Sequence, residues 1–339
     1  MSTQLWNIDP KGDAITAAAL VKGDRRLMQY FPNCGLNPDP TLESIGLPHD
    51  MDAVSAEESY KPFMEKMSQI DSKEMQRLAS DIHCQAGTIC WTTEEYQQSE
   101  HGKANARIGL YEIHAHQNSN QKAGWWPDIP QTSALRPLAG LKVVDLTRII
   151  AGPTITRGLA ELGASVMRVT APHLSDYSSL HVDFNWGKWN SYLDFREKGD
   201  CERMRALILE ADVVVTGYRP WVLDKFGFGQ EGILELCKGR DRGIVYVREN
   251  CYGWGGPWAY RSGWQQISDA CCGVSMEFGR AMGNDEPVTP VFPNSDFCTG
   301  VAGIVGTIGA LLRRAKDGGS YTVDASPCNR LNTGNSANL

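Results

Sequence analysis

The chain has 339 residues, 42% of them hydrophobic and 22% charged. That is ordinary globular usage, and at roughly 150 residues per domain it makes about two domains. A formal net charge of −7 excludes a generic nucleic-acid or anionic-membrane surface, since those partners need a basic footprint.

The 10 cysteines follow neither a disulfide framework nor C-x-x-C zinc spacing. They are expected as free thiols in a reducing compartment, with no metal site. Residues 1–12 lack the apolar stretch of a signal peptide. No segment reaches the roughly 18 continuous apolar residues of a membrane span. Residues 332–339 carry no lipidation or peroxisomal signal. The expected location is cytoplasmic, with no membrane partner.

Residues 1–116 are expected to form a small helix-rich α+β domain. Across residues 56–82, Tyr60, Phe63, Met67, Ile70, Met75, Leu78 and Ile82 recur at helical spacing, and Ser72 is placed to start a second helix. His114 and His116 lie in a polar stretch and read as exposed rather than metal-bound. Residues 117–135, rich in Gln, Asn, Gly and Pro around Trp125, Trp126 and Pro127, read as a linker.

Residues 136–339 read as an α/β domain. Apolar runs predict strands at 141–146, 165–169, 191–195, 212–216, 243–247 and 321–325. Helices are expected at 154–162, 200–210, 263–276 and 299–314, the first ending at Gly163. The alternation argues a Rossmann-like parallel sheet with flanking helices.

The first strand leads into Asp145-Leu146-Thr147-Arg148, after which Ala151-Gly152-Pro153 opens a helix. Gly152 lets backbone approach a ligand, Pro153 suits a first helical turn, and free N–H groups there favour a phosphate. The turn lacks G-x-G-x-x-G, so it reads equally well as an ordinary strand–turn–helix corner. Arg168, at the end of the second strand, is placed to face a phosphate. Asp296 is expected just before the glycine-rich helix from Thr299. Its local context supports a helix N-cap as readily as a reactive carboxylate, with Ser295 and Thr299 as alternative caps.

A series of motifs carries a family resemblance. Residues 137–148 (PLAGLKVVDLTR) with Ala151-Gly152-Pro153 and Leu162-Gly163-Ala164, residues 211–215 (ADVVV) with Tyr218-Arg219-Pro220, and Gly227-Phe228-Gly229 come first. Tyr252-Gly253 with Gly256-Pro257, Asp296, Gly300, residues 311–314 (LLRR) and residues 323–326 (VDAS) follow in order. The series resembles the family III CoA-transferases, the family of formyl-CoA transferase, the carnitine-CoA transferases and the α-methylacyl-CoA racemases.

The resemblance implies a CoA-binding Rossmann-like domain, an interlocked homodimer, and coenzyme A as substrate with no tightly bound cofactor. It implies that Asp296 accepts the acyl group from an acyl-CoA and that a small carboxylic acid collects the CoA. By position, Ile149, Ile150, Ala151 and Gly152 would line the nucleotide, Tyr218 would flank the adenine, and Lys225 and Arg168 would meet phosphates. Two positions depart from the pattern: Ala171, where transferases of the family often carry arginine, and Cys251, where glycine is usual.

The racemases' proton-moving histidine falls at Trp264, which cannot act as a base, so transfer is expected over racemisation. The family pattern continues past its last strand into a small domain, which parts of residues 47–95 faintly resemble. The alternatives are a non-catalytic or regulatory paralogue and a CoA-thioester hydrolase, lyase or racemase-like enzyme on the same fold. A serine hydrolase is excluded by the lack of G-x-S-x-G.

Overall fold

The computed structural model describes residues 17–20, 27–30, 39–48, 56–174, 176, 178–290 and 292–328. Residues 1–12, Cys34, His49, Asp50 and residues 332–339, on which parts of the sequence reading rest, lie outside them. The chain forms two compact units, one of Ile108–Gly253 with Asp296–Asn329, the other of Met1–Arg107, Trp254–Ser295 and Arg330–Leu339.

The first of these units is built on a seven-stranded sheet. Its strands are β1 (Tyr111–His116), β2 (Lys142–Leu146), β3 (Ser165–Thr170), β4 (Lys188–Tyr192), β5 (Val213–Thr216), β6 (Val245–Glu249) and β7 (Ser320–Ala325). They lie in the order β1-β7-β6-β5-β2-β3-β4. All neighbours are parallel except β1, which runs antiparallel to β7 with Tyr111 opposite Ala325.

From β2 the chain winds outward through β3 and β4, then returns to the other side of β2 for β5, β6 and β7. The order reverses between β2 and β5, which is where open α/β sheets bind ligands, beyond the carboxyl ends of their strands.

Helices cover both faces. Val143, Val213, Val215, Val245 and Val247 share one core with Ile155 and Leu159 of α1 (Ala151–Glu161) and Leu311 of α4 (Asn294–Asp317). Val144, Leu146, Val214 and Tyr246 share the other with Met204 and Ile208 of α2 (Lys198–Glu210) and Ile233 and Cys237 of α3 (Gln230–Cys237). The period of two along each strand sorts its residues between these cores.

Helix α4 is long and apolar enough by composition to cross a membrane, with 56% of its most apolar window buried. In this fold it is a core helix. Its glycines let neighbours come close: a Cβ at Gly303 would lie 2.4 Å from Ile155 Cδ1, and one at Gly306 would lie 2.7 Å from Val323 Cγ1. At its far end buried Arg314 donates to Asp212 Oδ1 and to the Gly243 carbonyl, each at 3.1 Å.

The expected Rossmann-like fold is present, with differences at its margins. Residues 108–135, expected to straddle a small domain and a linker, belong to the sheet unit. Tyr111–His116 supplies an edge strand, Gln121 Nε2 donates to the Cys237 carbonyl at 3.0 Å, and Trp126 Nε1 donates to the Ala139 carbonyl at 3.1 Å. The strand expected at 191–195 lies at Lys188–Tyr192. Gly163 ends α1 as expected, at φ 104°.

The other unit holds an antiparallel sheet of Ala17–Leu20, Leu27–Tyr30 and Gly87–Ile89 with short helices around it. The second helix expected near Ser72 begins there, but Asp71 caps it, accepting from the Lys73 N–H at 3.0 Å. The unit also takes residues 254–295, which the sequence reading counted with the α/β domain. The helix expected over 263–276 is two, Gln265–Cys271 and Val274–Ala281, because Gly273 adopts φ 89° between them. That turn lies against Thr93: a Cβ on Gly273 would be 2.4 Å from the Thr93 nitrogen. The first of the two helices is tied in by the Trp91 N–H, which donates to the Ala270 carbonyl at 3.0 Å.

Candidate functional site

The carboxyl ends of β2, β5 and β6 converge at the point where the sheet order reverses. From β2 the chain passes Thr147 and Arg148 to Ile149, which adopts φ 73°, a conformation costly for a β-branched residue. Ile150 then stands at the N-cap position of α1, and its carbonyl accepts from both the N–H and the hydroxyl of Thr154 at 2.8 Å. Gly152 is required by closeness, because a Cβ there would fall 2.7 Å from Thr147 Cγ2. The sequence-predicted residues Ile149, Ile150, Ala151 and Gly152 thus form one turn, with the two isoleucines half-buried.

Beneath the turn is a sealed polar network that the sequence reading missed. Asp145 Oδ1 accepts from the Thr147 N–H at 3.0 Å and hydroxyl at 2.5 Å, while Oδ2 accepts from Thr156 at 2.7 Å and Lys188 Nζ at 2.9 Å. Lys188 also donates to the Pro153 carbonyl at 3.2 Å. Burial lowers the Lys188 amine from its usual range, and the Asp145 carboxylate opposes that shift. This network fixes both ends of the turn, Thr147 before it and Pro153 after it.

Asp296 lies inside the first turn of α4 and is 9% exposed. The helix starts at Asn294, five residues before the expected Thr299, so Asp296 is not its N-cap. One turn further along α4, a Cβ on Gly300 would meet Thr154 Cβ at 2.4 Å and the Ala151 carbonyl at 3.1 Å. Gly300 therefore allows α4 to press against the start of α1, and Asp296 is carried to the switch point.

Glu249 is the last residue of β6. A Cβ on Gly217, just past β5, would lie 3.3 Å from Glu249 Oε2 and 3.7 Å from Thr147 Cβ. Surrounding protein and the Asp296 carboxylate push the Glu249 carboxyl up to about 8. The negative charge of Asp296 thus adds to burial in disfavouring ionisation of Glu249.

The remaining candidates divide. Tyr218 is half-buried, its hydroxyl pushed up to about 12 by burial, and Arg148 and Arg168 act on it. Tyr218 follows the end of β5, and Arg168 lies within β3. Arg168 is not an open cation, however. Its guanidinium is bonded to Asp176 and lies 3.2 Å from His181 Nε2. Lys225 is exposed in a short turn, Asp224–Phe226, with its amine 4.9 Å from the centre of the Phe226 ring. Ala171 and Cys251, the two departures from the family pattern, are both buried.

On the sheet's edge, Glu112, His114 and Asp324 offer ligand atoms within 4.8 Å of one another. Arg248 already donates to both Asp324 oxygens, at 2.5 and 2.8 Å, so we assign no metal there. Among the described residues no cysteine is joined in a disulfide.

Comparison with known proteins decides the family. The model described as CoA-transferase family III matches residues 138–334. The chain belongs to that family.

Among its relatives is an acetyl-coenzyme A transferase, nodX, of Hypoxylon pulicicidum, 54% identical over 300 residues that make up 88% of this chain and 51% of the relative. The succinyl-CoA:glutarate CoA-transferase of Homo sapiens is 29% identical over 224 residues, 62% of this chain and 49% of its own. A solved CAIB/BAIF family protein from Brucella suis, 28% identical, superposes with a TM-score of 0.50 over 58% of this chain and 54% of that one. The chain spans about half the length of the curated relatives it matches.

The ordered motifs of the family are spread over the unit: residues 142–146 form β2, Gly163 follows α1, and residues 311–314 lie at the far end of α4. Two functional candidates escaped the sequence. Glu249 had one visible signal, a charge at the end of the apolar run 243–247. Lys188 had none, because only the fold brings it to Asp145.

Proposed function

We propose that this chain supplies the CoA-binding and acyl-accepting part of a CoA-transferase, moving CoA from an acyl-CoA to a small carboxylic acid through a covalent Asp296 intermediate. The observation that carries it is a nearly sealed carboxylate, Asp296, in the first turn of α4, pressed by way of Gly300 against the turn that opens α1. The relatives' names, an acetyl-coenzyme A transferase and a succinyl-CoA:glutarate CoA-transferase, point to the same reaction class.

Asp296 attacks the thioester carbonyl, the C–S bond breaks, and a mixed anhydride forms as CoA thiolate departs. The thiolate then attacks the Asp296 carbonyl carbon and releases the first acid, leaving an aspartyl-CoA thioester. The acceptor carboxylate attacks that thioester, giving a second anhydride, and returning thiolate makes the new acyl-CoA and frees Asp296. Covalent catalysis divides one difficult exchange into easier steps. N–H groups in the first turn of α4 favour the negative charge that develops there.

CoA is the substrate and no tightly bound cofactor is needed. The turn of Ile149, Ile150, Ala151 and Gly152, with Tyr218 after β5, is its proposed seat. A homodimer, as the family resemblance implies, and a cytoplasmic location belong to the same proposal.

The test is incubation with a panel of acyl-CoA thioesters and hydroxylamine, followed by mass spectrometry of the peptide bearing Asp296. A modified Asp296 that disappears in Asp296→Asn is expected. CoA binding without an adduct would remove the covalent step, and no CoA binding would remove the whole reading.

A further inference from the structure

Lys188 takes no step in the reaction just described, yet its ammonium closes the network beneath the turn on which CoA is proposed to sit. Resting on that reading, we infer that Lys188 is a positioning residue for CoA: through Asp145, Thr156 and Pro153 it holds the turn of Ile149, Ile150, Ala151 and Gly152 in its binding form before CoA arrives.

The turn needs an external hold. Ile149 adopts φ 73°, a left-handed conformation that a β-branched residue keeps only when its surroundings enforce it. Ile150, at the N-cap of α1, makes no side-chain cap bond, so its side chain does not fix the bend. The hold comes from either side. Before the turn, Thr147 donates its N–H at 3.0 Å and its hydroxyl at 2.5 Å to Asp145 Oδ1. After it, the Pro153 carbonyl and the Thr156 hydroxyl accept from Lys188 Nζ at 3.2 and 2.7 Å. Lys188 Nζ also donates to Asp145 Oδ2 at 2.9 Å, which joins the two sides into one clamp.

Lys188 acts on the turn and not on CoA itself. An ammonium has three donors, and Asp145, Thr156 and Pro153 take all three. The Lys188 side chain has no exposure to water, so no donor remains for a phosphate. The clamp therefore works by preorganisation. A turn that is already bent has little freedom left to lose on binding. A turn that is bent only part of the time binds with its affinity reduced by that fraction.

The test measures CoA binding by calorimetry in the wild type, Lys188→Met, Thr156→Val and Thr156→Ser, together with the rate of Asp296 labelling at saturating acetyl-CoA. Lys188→Met is expected to bind CoA about 10–100-fold more weakly, the range by which a strained backbone conformation is disfavoured once nothing holds it. Labelling at saturation should stay within about 3-fold of the wild type, since the change falls on binding. Thr156→Val takes one hydroxyl out of the clamp and should weaken binding in the same sense, with Thr156→Ser restoring it. That pair gives the answer if Lys188→Met does not fold. Folded variants that unfold at lower temperature yet bind CoA with wild-type affinity make Lys188 a structural pin only, and the inference falls. A loss confined to the saturated labelling rate overturns it as well. A wild type that does not bind CoA overturns the proposed seat, and Lys188 with it. A wild type that binds CoA without labelling removes the Asp296 step alone, and the binding comparison still judges Lys188.

Discussion

Lys188 Nζ lies 2.9 Å from Asp145 Oδ2, and neither side chain has any exposure to water. The pair joins β4, at one edge of the sheet, to β2, two strands further in, and closes beneath the turn that leads into α1. A buried charge left alone is far more costly than the intact pair is favourable. Lys188→Met is therefore expected to destabilise the fold by about 3–5 kcal/mol, measured by urea unfolding. The double change Asp145→Asn with Lys188→Met should recover part of that loss, since contacting residues are not additive. Equal losses in the single and double variants would show that the network's worth lies elsewhere.

Glu249 makes stability depend on pH in a definite direction. Its folded carboxyl is raised to about 8 from an ordinary 4.5, so between those values the unfolded chain releases the proton first. Stability contributed by the bound proton is complete below about pH 4.5 and is lost as pH rises towards about 8, with a slope of at most roughly 1.4 kcal/mol per pH unit. Glu249→Gln removes the titration. Its unfolding midpoint should match the wild type most closely near pH 5 and exceed it increasingly up to pH 8. A constant difference across that range would contradict the shift.

Gly300 sets two opposing effects against each other. Alanine improves helix propensity by about 1 kcal/mol, but its Cβ would fall 2.4 Å from Thr154 Cβ and Cγ2 and 3.1 Å from the Ala151 carbonyl. Overpacking of that kind costs about 1–3 kcal/mol, and here a β-branched side chain and backbone must move. We expect Gly300→Ala to destabilise the fold by about 1–2 kcal/mol net and to weaken CoA binding, read by thermal unfolding and calorimetry. Alanine at Gly199, which has open space around it, should show no such loss.

The parts of this fold that were legible in the sequence are those that a buried environment writes into it. The runs at 141–146, 212–216 and 243–247 are valine-rich because both faces of those strands are covered. The edge strands were missed or displaced for the opposite reason. Tyr111–His116 and Lys188–Tyr192 are half-exposed, so their residues are mixed and their texture resembles a loop. Residues 263–276 looked like one helix because a single left-handed glycine leaves the apolar spacing intact. Within the site, Asp296 was visible only as one member of an ordered series of motifs, and its polar neighbours Asn294 and Ser295 concealed the true start of α4. Arg168 looked like an open phosphate contact, since nothing in the sequence shows that Asp176 folds back onto it. Lys188 and Asp145 lie 43 residues apart, and no local pattern announces their meeting.

The first and last strands of the sheet unit, β1 and β7, are neighbours through antiparallel pairing from Tyr111 opposite Ala325 to His116 opposite Ser320. The sheet is thus buttoned by a strand that precedes the family-matched segment of 138–334. A fragment trimmed to those limits would keep every motif and still expose one side of β7 as a row of unanswered N–H and C=O groups. Such an edge recruits strands from other molecules. The trimmed fragment is expected to aggregate more readily than a fragment beginning at Ile108, and light scattering of the two would show it.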